Sequence, residues 1–169
     1  MAISVDSMSR TIPVISSIGT GQTELSAYDD ALWKAGIGNC NLIPLSSVIP
    51  PAWVPQSNAR LDFIPRWGNR LYVVQAMCTA GDNARIGLAA GIGWAIFDHG
   101  GGVFVEHHAV ASDADHALRD IERQIALSID DLCHRRDALP VIQGKMTTST
   151  TAHVPSCALV VAVFKEEDW

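Results

Sequence analysis

Two adjacent serines, Ser46 and Ser47, lie in the stretch GIGNCNLIPLSSVIPP at residues 36–51, between a glycine turn that carries asparagine and a double proline. The prolines exclude a helix here, so the pair lies in an extended or turn-like passage. A serine hydroxyl can attack the preceding peptide carbonyl and convert the amide to an ester. Elimination then gives dehydroalanine, which hydrolyses to a ketoacyl group and ammonia. This chemistry needs a held peptide bond and donors for a tetrahedral oxyanion, and glycines, an amide and prolines suit that task.

Other chemistries fit the sequence less well. The segments GTGQTE, GIGNCN and GIGWAI lack the third glycine of the dinucleotide fingerprint, no GK[ST] occurs, and the nucleophile elbow G-x-S-x-G is absent. His99, His107 and His108 invite a metal, but the adjacent His107 and His108 would face opposite sides of a strand. We therefore expect structural or surface histidines and no metal. A serine pair alone is weak evidence, since Ser16-Ser17 also occurs, so the context must decide.

That context resembles a known family. The stretch AYDDALWKAGIGNCNLIPLSSVIPP at residues 27–51 is similar to the pyruvoyl-dependent arginine decarboxylases. Their signature is an Ala-aromatic-Asp-x-Ala-Leu helix followed by AGIGN-x-N-L-x-x-x-SS-[IV]-x-PP. The segment GVFVEHHA looks like the glycine-apolar-Glu strand of that family, and the long helix and the strand with Cys157-Ala158 come in the expected order. The resemblance implies an α+β fold, a sandwich of β-sheets flanked by α-helices, as a single domain over residues 1–169.

The resemblance also implies that the chain cleaves itself between Ser46 and Ser47. The products would be a β chain, residues 1–46, and an α chain, residues 47–169, whose first residue becomes a pyruvoyl group derived from Ser47. No pyridoxal phosphate and no metal would be required. The pyruvoyl ketone would form a Schiff base with the α-amine of a small amino-acid substrate and accept the charge left by loss of CO2.

Three further residues match the family pattern. Asn41 would assist processing or position the ketone, and Glu106, between apolar residues of a strand, would be the proton donor. Asp29 would bind the substrate guanidinium through a two-pronged hydrogen bond. Together they imply decarboxylation of L-arginine to agmatine. Pro44 departs from the pattern, because its missing N–H predicts altered hydrogen bonding beside the serines.

Two alternatives remain. The chain could be an unprocessed, non-catalytic binding or regulatory member of the same fold, with the 46/47 bond intact. It could also be a pyruvoyl decarboxylase for another amino acid. Intact mass separates the first alternative from the enzyme, and CO2 release from several amino acids tests the second.

The spacing of apolar residues predicts the first strand and the first helix, which must position these residues. Residues 12–18 (IPVISSI) predict a strand. Residues 23–36 (TELSAYDDALWKAG) predict a helix with Leu25, Tyr28, Leu32 and Ala35 at helical spacing, an Asp30–Lys34 pair, and an end at Gly36.

The rest of the chain predicts mostly strands. LYVVQAMCTA, GVFVEHHA and SCALVVAVF are typical of strands, whereas GLAAGIGWAIF fits a strand or a closely packed helix. Residues 112–137 predict one long amphipathic helix, with Ser112 and Asp115 spaced as a variant capping box. TTSTT at 147–151 indicates a polar loop or a strand edge.

Composition limits the partners. Hydrophobic residues make up 48 % of the 169 residues and charged residues 18 %, which indicates a homo-oligomer. The family resemblance implies trimers or hexamers of αβ units, with the active site between protomers. The net charge of −6 argues against nucleic acid. Four scattered cysteines indicate reduced thiols, and neither a signal peptide nor an apolar run of membrane length is evident. We expect a cytoplasmic protein without membrane partners.

Overall fold

The computed structural model describes residues 10–169. Residues 1–9, on which part of the signal-peptide prediction rests, lie outside the described residues. The described chain forms two helices and nine strands in the order β1 (Arg10–Thr20), α1 (Glu24–Lys34), β2 (Asn41–Pro44), β3 (Val48–Ile49), β4 (Trp53–Ser57), β5 (Arg70–Ala80), β6 (Ile86–Phe97), β7 (Gly102–Ala111), α2 (Ala114–Arg135), β8 (Pro140–Ala152) and β9 (Ser156–Glu167).

The strands form two sheets. Sheet A has the order β2-β5-β9-β1-β4 and sheet B the order β3-β7-β6-β8. Sheet B is antiparallel throughout, whereas both edge strands of sheet A, β2 and β4, run parallel to their neighbours. The short β3 continues the chain from β2 but belongs to the other sheet, so residues 45–47 cross between the sheets.

The main core lies between the two sheets. Alternate residues of the central strands point into it, such as Val74 on β5, Val160 on β9, Ile92 on β6 and Phe104 on β7, and all four are buried. Helix α1 covers the outer face of sheet A and α2 the outer face of sheet B. The predicted α+β sandwich with flanking helices is confirmed.

Helix α1 begins with a capping box, in which Thr23 accepts a hydrogen bond from the Ser26 backbone and Ser26 accepts one from the Thr23 backbone. The predicted ion pair between Lys34 and Asp30 is present at 2.6 Å. The helix faces sheet A through Ala27, Ala31 and Leu32. The placement of Leu25 on the buried face was wrong, because its side chain is 76 % exposed.

The segment GLAAGIGWAIF forms β6, the central strand between β7 and β8, which settles the choice left by its small residues. Its glycines allow α2 to pack close to sheet B. A Cβ at Gly93 would lie 2.3 Å from Ile125 Cγ2 on that helix. The small residues of this segment therefore reflect helix-on-sheet packing.

The predicted cap of α2 needs correction. The helix is capped by Asp113, whose side chain accepts a hydrogen bond from the His116 N–H at 2.8 Å, rather than by a box of Ser112 and Asp115. Residues 140–152 after the helix form β8, an edge strand that contains TTSTT, so of the two alternatives for that segment the strand edge is confirmed. One edge of β8 has no strand partner among the described residues, so the strand can carry polar residues. The apolar alternation that predicts a strand is therefore missing.

All four cysteines are free thiols, and Cys78, Cys133 and Cys157 are buried. Burial raises the pKa of Cys78 to about 11 and that of Cys157 to about 12. Neither helix within residues 10–169 is long and apolar enough to cross a membrane.

Candidate active site

The serine pair lies where the chain crosses from one sheet to the other. The Leu45 N–H still donates to the Val73 carbonyl of β5 at 2.8 Å, which extends the pairing of β2 in sheet A. After the pair, Val48 and Ile49 pair with Val103 and Gly102 of β7 in sheet B. The bond between Ser46 and Ser47 is therefore held on both sides by sheet pairing although it belongs to no regular element.

Ser47 contacts β7 through both its side chain and its backbone. Its hydroxyl donates a hydrogen bond to the Glu106 carboxylate, 59 positions later in the chain. Its carbonyl oxygen accepts a hydrogen bond from the Phe104 N–H at 2.9 Å. These contacts bring together two of the residues predicted from the sequence, a candidate nucleophile and a carboxylate that could accept its proton.

Glu106 is fixed by the alternation of β7. It lies on the same strand face as Phe104, which points into the core between the sheets, and it pairs with Ile92 of β6. Glu106 and Ser47 are both half-buried, whereas Ser46 is exposed. The carboxylate is thus held at the margin of the apolar core, with access to the crossing segment.

The carbonyl of Ser46 is also engaged. The Val48 N–H donates a hydrogen bond to the Ser46 oxygen, with 2.6 Å between nitrogen and oxygen. A tight turn is thereby centred on Ser47. The following Pro50 carbonyl accepts a bond from the Trp53 N–H at 3.2 Å, which turns the chain into β4.

Asn41 lies at the far end of β2 from the serines. Its side-chain amide donates to the Gly68 carbonyl at 2.6 Å, and the same oxygen accepts a bond from the Trp169 indole at 2.8 Å. The single chain therefore does not bring Asn41 to Ser47, and its predicted role stays a prediction.

Asp29 lies on the solvent side of α1, where Leu25 and Trp33 flank it one helical turn away on either side. These two apolar neighbours are 76 % and 62 % exposed. Because α1 covers the outer face of sheet A, that sheet separates Asp29 from the Ser47–Glu106 pair within one protomer. Its guanidinium role also stays a prediction.

The histidines do not form a metal centre with other ligands in the part of the chain that the structure describes. His107 points toward α2, where its Nε2 lies 2.8 Å from the Ser128 hydroxyl. His108 is exposed. The alternation along β7 thus separates these two side chains, as their adjacency in the sequence predicts.

A larger cleft lies beyond a row of aromatic rings that begins at Phe104. Phe104 packs edge to face on Phe164 at 6.0 Å between centroids, and Phe164 lies 5.9 Å from Trp53. Trp53 and Phe164 line a cleft of about 1070 Å³ between β1, β4 and the end of β9. That cleft is lined by residues other than Ser47 and Glu106, so it is separate from the pair.

Sequence reasoning missed the backbone donors of the site. The N–H groups of Phe104 and Val48 engage the carbonyls of Ser47 and Ser46, but any residue type except proline could supply them. The Phe104 contact comes from the pairing of β3 with β7, and the Val48 contact comes from a local turn. A two-residue strand leaves no periodic signal in the sequence.

The sequence is similar to known proteins over nearly its whole length. The model of the pyruvoyl-dependent arginine decarboxylase family matches residues 11–168. A protein of Halobacterium salinarum named pyruvoyl-dependent arginine decarboxylase is 35 % identical over 154 residues, which cover 89 % of this chain and 91 % of the relative.

Shorter matches are more similar still. A protein of the same name from Thermococcus kodakarensis is 55 % identical over 47 residues, 25 % of this chain and 30 % of that one. Another, from Methanocaldococcus jannaschii, is 48 % identical over 42 residues, 25 % of this chain and 26 % of the relative. With a family model that spans nearly the whole chain and a relative aligned over most of its length, the chain belongs to the pyruvoyl-dependent arginine decarboxylase family.

Proposed function

We propose that this chain cleaves itself between Ser46 and Ser47 and then decarboxylates L-arginine to agmatine and CO2. The observation that carries the proposal is the hydrogen bond from the Ser47 hydroxyl to the Glu106 carboxylate. A serine hydroxyl is a weak nucleophile until a neighbouring base takes its proton, and Glu106 is in position to do so.

The precursor chemistry balances with these two residues and one water molecule. Glu106 takes the hydroxyl proton while Ser47 Oγ bonds to the Ser46 carbonyl carbon. The tetrahedral adduct loses its C–N bond and the nitrogen takes a proton, which leaves an ester and a free amine. Loss of the Ser47 α-proton breaks the Cβ–Oγ bond, and its electron pair leaves with the new Ser46 carboxylate. Water then replaces the nitrogen, which departs as ammonia.

Residue 47 is placed to serve as the prosthetic group that this cleavage would create. The pyruvoyl group supplies a ketone that captures the substrate amine and accepts the charge left by CO2. Glu106 lies beside this position and can hold the proton that the former α-carbon requires. The Phe104 N–H holds the carbonyl oxygen of residue 47 at 2.9 Å and so orients the group. No separate cofactor or metal enters this scheme.

We further propose that the substrate site is completed by a second copy of the chain. Asp29 would bind the arginine guanidinium from a neighbouring protomer, since sheet A separates it from Ser47 of its own chain. The exposed Leu25 and Trp33 beside Asp29 support burial of this helix face in an assembly. Trimers or hexamers of αβ units would provide that contact. The free thiols favour a reducing, cytoplasmic environment.

Intact mass and a denaturing gel test the self-cleavage. The purified protein should give fragments of residues 1–46 and 47–169, with the larger fragment blocked at its N-terminus. Ser47→Ala should remain full length, whereas the matched variant Ser46→Ala should still be cut because it keeps the attacking hydroxyl. A wild-type chain that stays intact after prolonged incubation would show an unprocessed member of the fold.

Release of CO2 from arginine, lysine, ornithine and aspartate tests the substrate. Arginine should react fastest, and Asp29→Ala should raise KM for arginine in particular. Asp30→Ala is the matched control, because Asp30 pairs with Lys34 and the Thr20 N–H on the same helix. An equal loss for all four substrates would exclude the guanidinium role, and faster release from another amino acid would reassign the substrate.

A further inference from the structure

The peptide unit between Ser47 and Val48 is held at both of its polar ends. Its carbonyl accepts the hydrogen bond from the Phe104 N–H at 2.9 Å, and its N–H donates to the Ser46 carbonyl at 2.6 Å. The peptide bonds of residues 10–169 are all trans, so the carbonyl and the N–H of this unit point in opposite directions. The bond to β7 on one side therefore fixes the direction of the N–H on the other.

The oxygen that this N–H contacts belongs to the bond that the proposed self-cleavage breaks. When Ser47 Oγ adds to the Ser46 carbonyl carbon, the negative charge develops on the Ser46 oxygen. A donor that already points at this oxygen stabilises the charge without reorganisation during the reaction. We propose that the Val48 backbone N–H is the oxyanion donor of self-cleavage, and this inference rests on the proposed function.

The contact of the Val48 N–H with the Ser46 oxygen does not interfere with Glu106, the base that takes the Ser47 proton. Glu106 holds the Ser47 hydroxyl, and Val48 holds the Ser46 oxygen, so the two polar atoms that change charge in the first step have separate partners. The proton leaves Oγ toward Glu106, Oγ bonds to the carbon, and the carbonyl electron pair moves onto the oxygen beside the Val48 N–H. Collapse of the adduct returns that pair to the carbonyl and expels the Ser47 nitrogen, which takes a proton.

Asn41, the amide predicted near the cleavage site, is engaged elsewhere in the chain. Its side-chain nitrogen donates to the Gly68 carbonyl, beside the first residues of β5. The backbone of the turn thus supplies a donor at the Ser46 oxygen without an amide side chain. A backbone donor also explains how the exposed Val48 side chain, at 59 %, can lie beside the reactive bond without entering the chemistry.

Replacing the Val48 N–H with an ester oxygen tests the inference. The valine hydroxy acid at position 48 keeps the side chain and removes this donor, and its ester carbonyl at residue 47 becomes a weaker acceptor for the Phe104 N–H. The isoleucine hydroxy acid at position 49, which leaves the Val48 N–H and the residue 47 carbonyl intact, is the control. Each precursor is refolded from denaturant and its cleavage at 46/47 is followed by intact mass. The ester at position 48 should slow cleavage by about 100-fold, the usual effect of losing one oxyanion donor. The ester at position 49 should leave the rate within about threefold of wild type, as it is removed from the reacting atoms.

Neutral hydroxylamine identifies the step that is slowed. It traps the ester intermediate as a Ser46 hydroxamate, distinct in mass from attack at the introduced ester. The position 48 variant should accumulate no trappable ester at 46/47, because the donor acts before that ester forms. Cleavage at the rate of the position 49 control, or rapid trapping at Ser46, would overturn the inference. Failure of the wild-type chain to cleave would instead overturn the proposed function.

A second pair of variants covers the case in which the ester precursor does not refold. Val48→Pro removes the N–H by ordinary mutagenesis, and Val48→Ala keeps it. The proline variant should remain full length under conditions in which the alanine variant is cut, with thermal unfolding used to verify that both are folded. Cleavage of both variants at the same rate would contradict a role for this N–H.

Discussion

Glu106→Gln separates the proposed acid–base role of Glu106 from its role in packing. The amide is nearly the same size as the carboxylate, and its oxygen can still accept the hydrogen bond from the Ser47 hydroxyl. The contacts on β7 beside Phe104 should therefore persist. What the amide cannot do is take up the hydroxyl proton when Oγ attacks the Ser46 carbonyl.

The size of the effect follows from that single loss. A positioned general base contributes about 10²–10⁴-fold to a rate, or about 3–5 kcal/mol in the barrier. Because the hydrogen bond and the volume are retained, we expect the free energy of unfolding to change by less than about 1 kcal/mol. The variant should thus be folded and uncut at times when the wild-type precursor has matured.

The assay is a time course of refolded precursor, with the uncut fraction measured by intact mass. Glu122→Gln is the matched control, since Glu122 lies on α2 and pairs with Lys145 at 2.8 Å, away from the serines. It should mature at the wild-type rate. If Glu106→Gln also matures at that rate while thermal unfolding shows a native fold, Glu106 is not the base, and the hydrogen bond only positions Ser47.

Three further predictions concern assembly, packing and thiols. If each site combines Asp29 of one protomer with residue 47 of another, coexpression of Asp29→Ala with Ser47→Ala in equal amounts should restore about one quarter of the wild-type activity. No recovery in mixed oligomers would exclude a shared site. Gly93→Ala should lower the unfolding free energy by about 1–3 kcal/mol, because the new methyl group would lie against α2, whereas Gly81→Ala, with more space, should not; equal Tm values would contradict this packing. Iodoacetamide at pH 8 should label Cys40 first, because Cys40 is only half-buried whereas the other three thiols are buried and shielded from the reagent. Partial burial and Glu166 raise the pKa of Cys40 as well, so accessibility decides the order. Mass mapping that finds a buried thiol labelled first would contradict it.

The pattern of apolar residues predicts the parts of this fold that are buried on one or both faces. The long helix α2 follows from its spacing of isoleucines, and β5 and β9 follow from runs of apolar residues that face both the core and α1. Periodicity fails at β8, where an edge strand carries threonines, and at β6, where small residues serve close packing and mimic a helix. In both places the structure depends on neighbours that are remote in the sequence.

The candidate site depends on remote neighbours even more strongly. The Ser46-Ser47 motif and Glu106 could be found because the residue types match a family signature, but their contact exists only because β3 pairs with β7 across more than fifty residues. The backbone donors have no residue-type signature at all. For Asp29 and Asn41 the reverse holds. The family signature identifies both residues, but a single protomer does not bring either of them to Ser47.

Pro44 shows how the sheet crossing tolerates a residue that seemed unfavourable. The Asn41 N–H donates to the carbonyl of Asn69, the residue before β5, and the Leu45 N–H donates to the carbonyl of Val73 on β5. In a parallel pair alternate residues face the partner strand, so Pro44, one residue before Leu45, has its nitrogen on the free edge of β2. The missing N–H therefore removes no bond within sheet A, as is usual for proline on edge strands. The expected disturbance of hydrogen bonding beside the serines was wrong. Because Leu45 is still anchored to β5 and Ser47 to β7, the bond proposed to be cut is held between the two sheets with proline at position 44.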